Sequence, residues 1–196
     1  MTPRERLKSP RLRLFVALEV PGWLIEPLVA WREETLGGSP ALRLLPRESL
    51  HVTLVFLGYQ AEREVERIAE ICFAERPRPF ELRAEELVWV PPRRPRLYAL
   101  SLEDRGGALG KWQGLLSGAL ARAGLYEPEK RPFWSHVTLA RAKRDKPAPA
   151  IDATPLPAQL RKPFVADRAT LYRSTLTPRG AIYDPLVSVA LNEQED

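Results

Sequence analysis

Reactive side chains are scarce in this chain. Its 196 residues include one cysteine, one methionine and two histidines. The lone Cys72 excludes an intrachain disulfide, and in its helical surroundings it reads as a small buried hydrophobe. No apolar run approaches the ~18–20 residues that a membrane-spanning helix needs. The basic N-terminal stretch MTPRERLKSP has no apolar segment before a cleavage site, so no secretory leader is expected. These absences point to the cytoplasm and to no membrane role. Neither GxGxxG nor GxxxxGK[ST] occurs, so a nucleotide-phosphate loop is not indicated. Neither histidine belongs to an HExxH or HxH motif or has a carboxylate at ligand spacing, so no metal and no cofactor are expected. A serine or cysteine nucleophile also lacks a motif, since there is no GxSxG.

What is present is the composition of a folded protein: 44% hydrophobic and 28% charged residues. The net charge is +5 and the pI about 9.6. Arginine outnumbers lysine, which suits a phosphate-bearing partner, because a guanidinium grips phosphate oxygens with two donors at once. The 20 prolines cluster where turns are expected.

The patterning predicts an α+β chain. Strands are expected at 11–20, 50–57 (ended by Gly58), 80–90, 96–102, 135–142, 164–175 and 181–191. Helices are expected at 23–36, with Trp23, Leu24, Leu28, Trp31 and Leu36 at helical spacing, at 61–74 and at 106–124. The Pro- and Ala-rich segment 146–157 reads as an irregular connection. Hairpin-like strand pairs favour antiparallel sheet over a doubly wound parallel one. Residues 1–10 form a basic extension with no assigned role and 192–196 an acidic tail, leaving 11–191 as one domain.

The two histidines each open the same string, His51-Val52-Thr53-Leu54 and His136-Val137-Thr138-Leu139. A motif repeated at this separation suggests two related halves, each giving one strand to a shared site. In a strand, residues i and i+2 share a face. His51 and Thr53 therefore project together, as do His136 and Thr138, while Val52, Leu54, Val137 and Leu139 turn to a core. Imidazole gives or takes a proton near neutrality, and threonine hydroxyls can donate to phosphate oxygens. Such a set suits metal-free acid–base attack on a phosphodiester.

In these two motifs the chain resembles the two-histidine (2H) phosphoesterases, and within them the bacterial and archaeal RNA 2′,3′-cyclic phosphodiesterases, or 2′-5′ RNA ligases. Arg13-Leu14-Phe15-Val16-Ala17 is similar to that family's first strand, and Leu50 to Gly58 to its first motif block. Pro95 to Leu100 resembles its central strand, with Tyr98 where Trp is common. Pro132 to Arg141 resembles the second block, with Trp134-Ser135 in place of the usual pair. Tyr172-Arg173-Ser174 and Gly180 to Tyr183 resemble the closing hairpin. The resemblance implies two pseudo-symmetric lobes with antiparallel sheets flanking a central cleft and helices outside. It implies hydrolysis of an RNA-terminal 2′,3′-cyclic phosphate to a 2′-phosphate, reversible as 2′-5′ joining, with His51 as proton donor and His136 as proton acceptor.

Other residues are left open. Arg141 lies five positions after His136, on the opposite face of a regular strand, unless a bulge turns it toward phosphate. Phe56 and Trp134 either stack on bases or pack in the core. Arg93, Arg94 and Arg96 either track an RNA backbone or form a solvated turn. The expected partner is RNA with a cyclic-phosphate end, with no obligatory protein partner. Two alternatives stand beside it: the same chemistry on small nucleotides such as ADP-ribose cyclic phosphate, and an RNA-binding module without turnover.

Overall fold

The computed structural model describes residues 10–77, 79–144, 146–147, 151, 155–178 and 180–191. The basic extension with Arg4, Arg6 and Lys8, the acidic tail, and parts of the 146–157 connection lie outside the described residues.

The elements run β1 (Arg11–Glu19), α1 (Gly22–Leu36), β2 (Leu42–Leu44), β3 (His51–Ala61), α2 (Val65–Phe73), β4 (Glu81–Val90), β5 (Leu97–Glu103), α3 (Ala108–Arg122), β6 (His136–Ala142), β7 (Phe164–Val165), β8 (Arg168–Thr177) and β9 (Gly180–Ala190). The sheet order is β7-β4-β5-β6-β3-β1-β8-β9, with β2 on β6. Every pairing is antiparallel. The two expected sheets are thus halves of one continuous sheet. They meet at a single register pair, Val52 opposite Val137.

The halves repeat a unit. β1–α1–β3 and β5–α3–β6 each carry a strand, a helix and an antiparallel return strand that begins with HVTL. The first strands also correspond: Ala17, Leu18 and Glu19 pair with Thr53, Val52 and His51, and Ala99, Leu100 and Ser101 pair with Thr138, Val137 and His136. A pseudo-twofold axis therefore passes between the central valines of the two motifs.

Burial follows the alternation expected from sequence. Val52, Leu54, Val137 and Leu139 are buried, while His51, Thr53, His136 and Thr138 are half-buried on the other face. The buried residues join one core with Leu24, Leu28, Trp31 and Leu36 of α1, Ile68, Ala69 and Cys72 of α2, and Leu109, Leu116 and Leu120 of α3. Trp23, grouped with this apolar set from its spacing, is instead 53% exposed. Burial pushes the Cys72 thiol up to about 12, so it is an inert core residue.

Three expectations need correction. Gly58 does not end β3, which continues to Ala61. Gly58 adopts φ 67 where Leu57 is skipped between the pairs Leu14–Gly58 and Phe15–Phe56, so the glycine supports a bulge rather than a stop. The helix expected from 61 begins as a 3-10 turn at Glu62–Glu64 and becomes α-helical at Val65. The three-residue β2 has no period long enough to show in sequence and exists because β6 offers it an edge.

Candidate active site

Both HVTL strands carry a bulge at the same place, which on β3 is in addition to the one at Leu57. On β3 the partners step from Thr53–Ala17 to Val55–Val16, leaving Leu54 unpaired. On β6 they step from Thr138–Ala99 to Ala140–Tyr98, leaving Leu139 unpaired. The carbonyls freed by the bulges are satisfied from outside the ladder. Leu54 O accepts from Gln113 Nε2 at 3.2 Å, and Leu139 O accepts from the Leu45 backbone N–H at 2.9 Å. Orphan buried carbonyls would be costly, so these contacts stabilise the bulges.

An extra residue reverses the side-chain parity beyond it. Phe56 and Arg141, five positions after each histidine, therefore return to the face that bears the histidines. They occupy corresponding places in the two halves. Both are exposed, so the core-packing alternative for Phe56 does not hold. Arg13 lies over the Phe56 ring, 4.3 Å from its centroid. Arg141 is close enough to lower the His136 pKa by charge repulsion, which puts its guanidinium in the same electrostatic environment.

The histidines sit on adjacent strands and one face. From the pair Val52–Val137, one step either way sets His51 abreast of Thr138 and Thr53 abreast of His136. The two imidazoles are then diagonal neighbours, with backbones ~7–8 Å apart, a gap suited to a phosphate. Among the described residues neither threonine hydroxyl has a hydrogen-bond partner, so both keep their capacity for a ligand.

The two rings are held differently. His136 Nδ1 lies 2.8 Å from Trp134 O. A carbonyl only accepts, so Nδ1 carries the hydrogen and Nε2 of the neutral ring is left with its lone pair. Trp134 also stacks on the ring at 4.1 Å between centroids and 16° between planes. Its Nε1 donates to Ser101 Oγ at 3.3 Å, and Ser101 Oγ donates to Glu85 Oε2 at 3.1 Å. Trp134 clamps the His136 ring.

His51 lies in an aromatic enclosure. Phe15 stacks on it at 5.0 Å, Tyr172 lies at 6.1 Å, and Tyr183 meets it edge-on at 5.4 Å. Its ring has no hydrogen-bond partner among the described residues. The neighbouring carboxylate, Glu19, is engaged by Thr170 at 2.6 Å and by the Tyr172 hydroxyl at 3.2 Å. Burial, and then repulsion from His136, push the His51 pKa down to about 4. Burial also lowers that of His136, partly opposed by its bond to Trp134. Both shifts favour the neutral ring.

The signals for the enclosure were weak. Phe15, Tyr172 and Tyr183 come from three strands, and nothing in the spacing of one predicts the others. Among the described residues no three His, Cys, Asp or Glu side chains converge as ligands for a metal, and no helix is long and apolar enough to cross a membrane.

The 2′-5′ RNA ligase superfamily model matches residues 22–177. The chain belongs to that superfamily. Among its relatives, an RNA 2′,3′-cyclic phosphodiesterase of Thermus thermophilus is 30% identical over 92% of this chain and 90% of the relative. One from Archaeoglobus fulgidus is 28% identical over 89% of this chain and 98% of the relative. The crystal structure of E. coli LigT in apo form superposes with a TM-score of 0.78 at 25% identity, covering 94% of this chain and all of that one. The superfamily match spans both HVTL strands.

Proposed function

We propose that the cleft hydrolyses the 2′,3′-cyclic phosphate at an RNA end to a 2′-phosphomonoester. The observation that carries this reading is the bond from His136 Nδ1–H to the Trp134 carbonyl, which leaves Nε2 as a base on the face shared with His51. Water held against His136 Nε2 gives up a proton as its oxygen attacks phosphorus. The P–O3′ bond breaks, and His51 protonates the departing 3′ oxygen. Thr53 and Thr138 donate to the non-bridging oxygens, whose charge strengthens each bond. Arg141 offers positive charge on the same face, and Phe56 a ring for a base. With the 5′-hydroxyl of a second strand in place of water, the same displacement joins a 2′-5′ linkage, with His136 still taking the proton and His51 still giving one to O3′. Donor and acceptor exchange roles when that linkage is cleaved back to the cyclic phosphate. The basic surplus favours RNA over a small cyclic nucleotide, and the single buried thiol suits a cytoplasmic enzyme.

His51 must enter the reaction protonated, although its enclosure favours the neutral ring. A bound phosphodiester supplies the missing factor, since a nearby negative charge favours imidazolium. The pH dependence follows. kcat/KM reports the free enzyme, in which both histidines titrate below 6.5. It should be bell-shaped with its maximum on the acid side of 6.5, and both limbs belong to the coupled pair. The kcat profile should be displaced to higher pH, because the bound anion raises the pKa of the acid. A kcat/KM that climbs steadily through pH 7.5 would contradict this account.

The deciding experiment is to incubate an oligoribonucleotide ending in 2′,3′-cyclic phosphate with the protein in excess EDTA and to identify the product. Turnover should persist, since the chemistry moves protons and needs no Lewis acid. The product should be the 2′-phosphate. A 3′-phosphate product would reverse which oxygen leaves. Loss of turnover restored by one divalent ion would replace the mechanism.

A further inference from the structure

A basin of about 1140 Å³ opens beside the histidine cleft, and eight of its twelve described lining residues are arginine or lysine, with no carboxylate among them. Three elements converge to form it. The loop between β4 and β5 supplies Arg93, Arg94 and Arg96. It is held in shape by the Arg94 N–H bonding Pro91 O at 3.2 Å and the Arg96 N–H bonding Val90 O at 2.9 Å. The end of β6 is tied to this loop by the Ala142 N–H on Arg96 O at 3.1 Å, which brings Arg141 and Arg144 alongside. β2 contributes Arg43. Arg43 and Arg141 also line the neighbouring cavity of about 600 Å³, together with Arg13 and Tyr183 of the histidine face. The basin is thus continuous with the cleft.

Concentrating this much positive charge works against folding unless an anion is present to meet it. Arg43 and Arg141 are directly opposite in the β2–β6 ladder, where like charges disfavour pairing. The side chains of Arg93, Arg94, Arg96 and Arg144 form no ion pair among the described residues. Arg141 lies five residues along β6 from His136, and its guanidinium is near enough to lower the His136 pKa, so it stands where basin and cleft meet.

We propose that this basin holds the backbone phosphates of the RNA strand on the 5′ side of its cyclic-phosphate end, with Arg141 as the hinge between basin and cleft. The inference rests on the cyclic phosphodiesterase reading of the cleft. Guanidinium groups suit phosphate through paired donors. Without a matching set of base-reading groups, such contacts bind through charge and carry no sequence preference. The basin therefore selects chain length: the enzyme favours an RNA end over a free cyclic mononucleotide.

The test compares kcat/KM on an RNA decamer ending in 2′,3′-cyclic phosphate with that on a nucleoside 2′,3′-cyclic monophosphate. It uses the wild type and the triple variant Arg93→Ala, Arg94→Ala, Arg144→Ala, three exposed residues outside the histidine cleft. The wild type should prefer the decamer. The variant should lose on the order of tenfold on the decamer, mainly through KM, and little on the mononucleotide. The salt dependence of decamer binding should flatten by about 0.7 in log–log slope for each phosphate contact removed. Parallel loss on both substrates, or an unchanged decamer-to-mononucleotide ratio, overturns the basin's role and leaves it to some other anion. Wild type inactive on both substrates would defeat the catalytic reading instead. Anisotropy binding of the decamer would then still decide on the basin, and equal affinity of wild type and variant overturns it.

Discussion

Alanine in place of His136 is expected to lower kcat/KM on a cyclic-phosphate-ended RNA by roughly 10²–10⁴, the usual worth of one positioned proton transfer. His51→Ala should cost a similar factor. The reasons differ for the two residues. His136 is oriented by the Trp134 carbonyl and pressed flat by the Trp134 indole, so its loss removes a base already in the correct tautomer. His51 is enclosed by Phe15, Tyr172 and Tyr183, so its loss removes an acid that a bound anion must first charge. Because both protons move in one displacement, the double variant should be hardly slower than the slower single variant. Multiplicative losses would mean that the two act in separate steps. Near-wild-type turnover by His136→Ala would refute the paired mechanism outright. Thermal unfolding of each variant separates a lost proton transfer from a disturbed fold.

Valine in place of Thr53 or Thr138 should lower kcat/KM about 10- to 150-fold. Each change removes one hydrogen bond to a charged oxygen, about 1.5–3 kcal/mol, while keeping the β-branched shape that the strand accepts. The pseudo-twofold makes a second demand. Thr53 faces Ala17 and Thr138 faces Ala99 at equivalent places beside equivalent bulges, and each stands abreast of the other motif's histidine. The two losses should therefore be of similar size. Little or no effect from either would mean that the hydroxyls do not touch phosphate. A large effect from one alone would mean that the substrate sits off the symmetry axis.

Much of the site was legible in one dimension. The repeated HVTL string stands out in a chain with two histidines, and strand alternation is a local property, so the burial of Val52 and Val137 and the shared face of His51 and Thr53 followed from it. Strand and helix periods over ten or more residues located nearly every long element, with errors of a few residues at their ends. The short β2, which depends on an edge made by another strand, was missed.

The direction of Arg141 and Phe56 was a different matter. A regular strand would send both away from the histidines, and the bulges that reverse them arise from register with β1 and β5, which lie far from them in sequence. The tautomer of His136 depends on the carbonyl of Trp134, a residue bonded through its indole to Ser101 of β5. The low pKa of His51 depends on aromatic rings from β1, β8 and β9 that enclose it. Residue types and local periods determined which groups are proposed to do the chemistry and which face of each strand carries them. Tertiary structure alone decided the tautomer of His136, the lowered pKa of His51 and where the arginines meet the cleft, because burial, charge proximity and sheet register are set between segments distant in sequence.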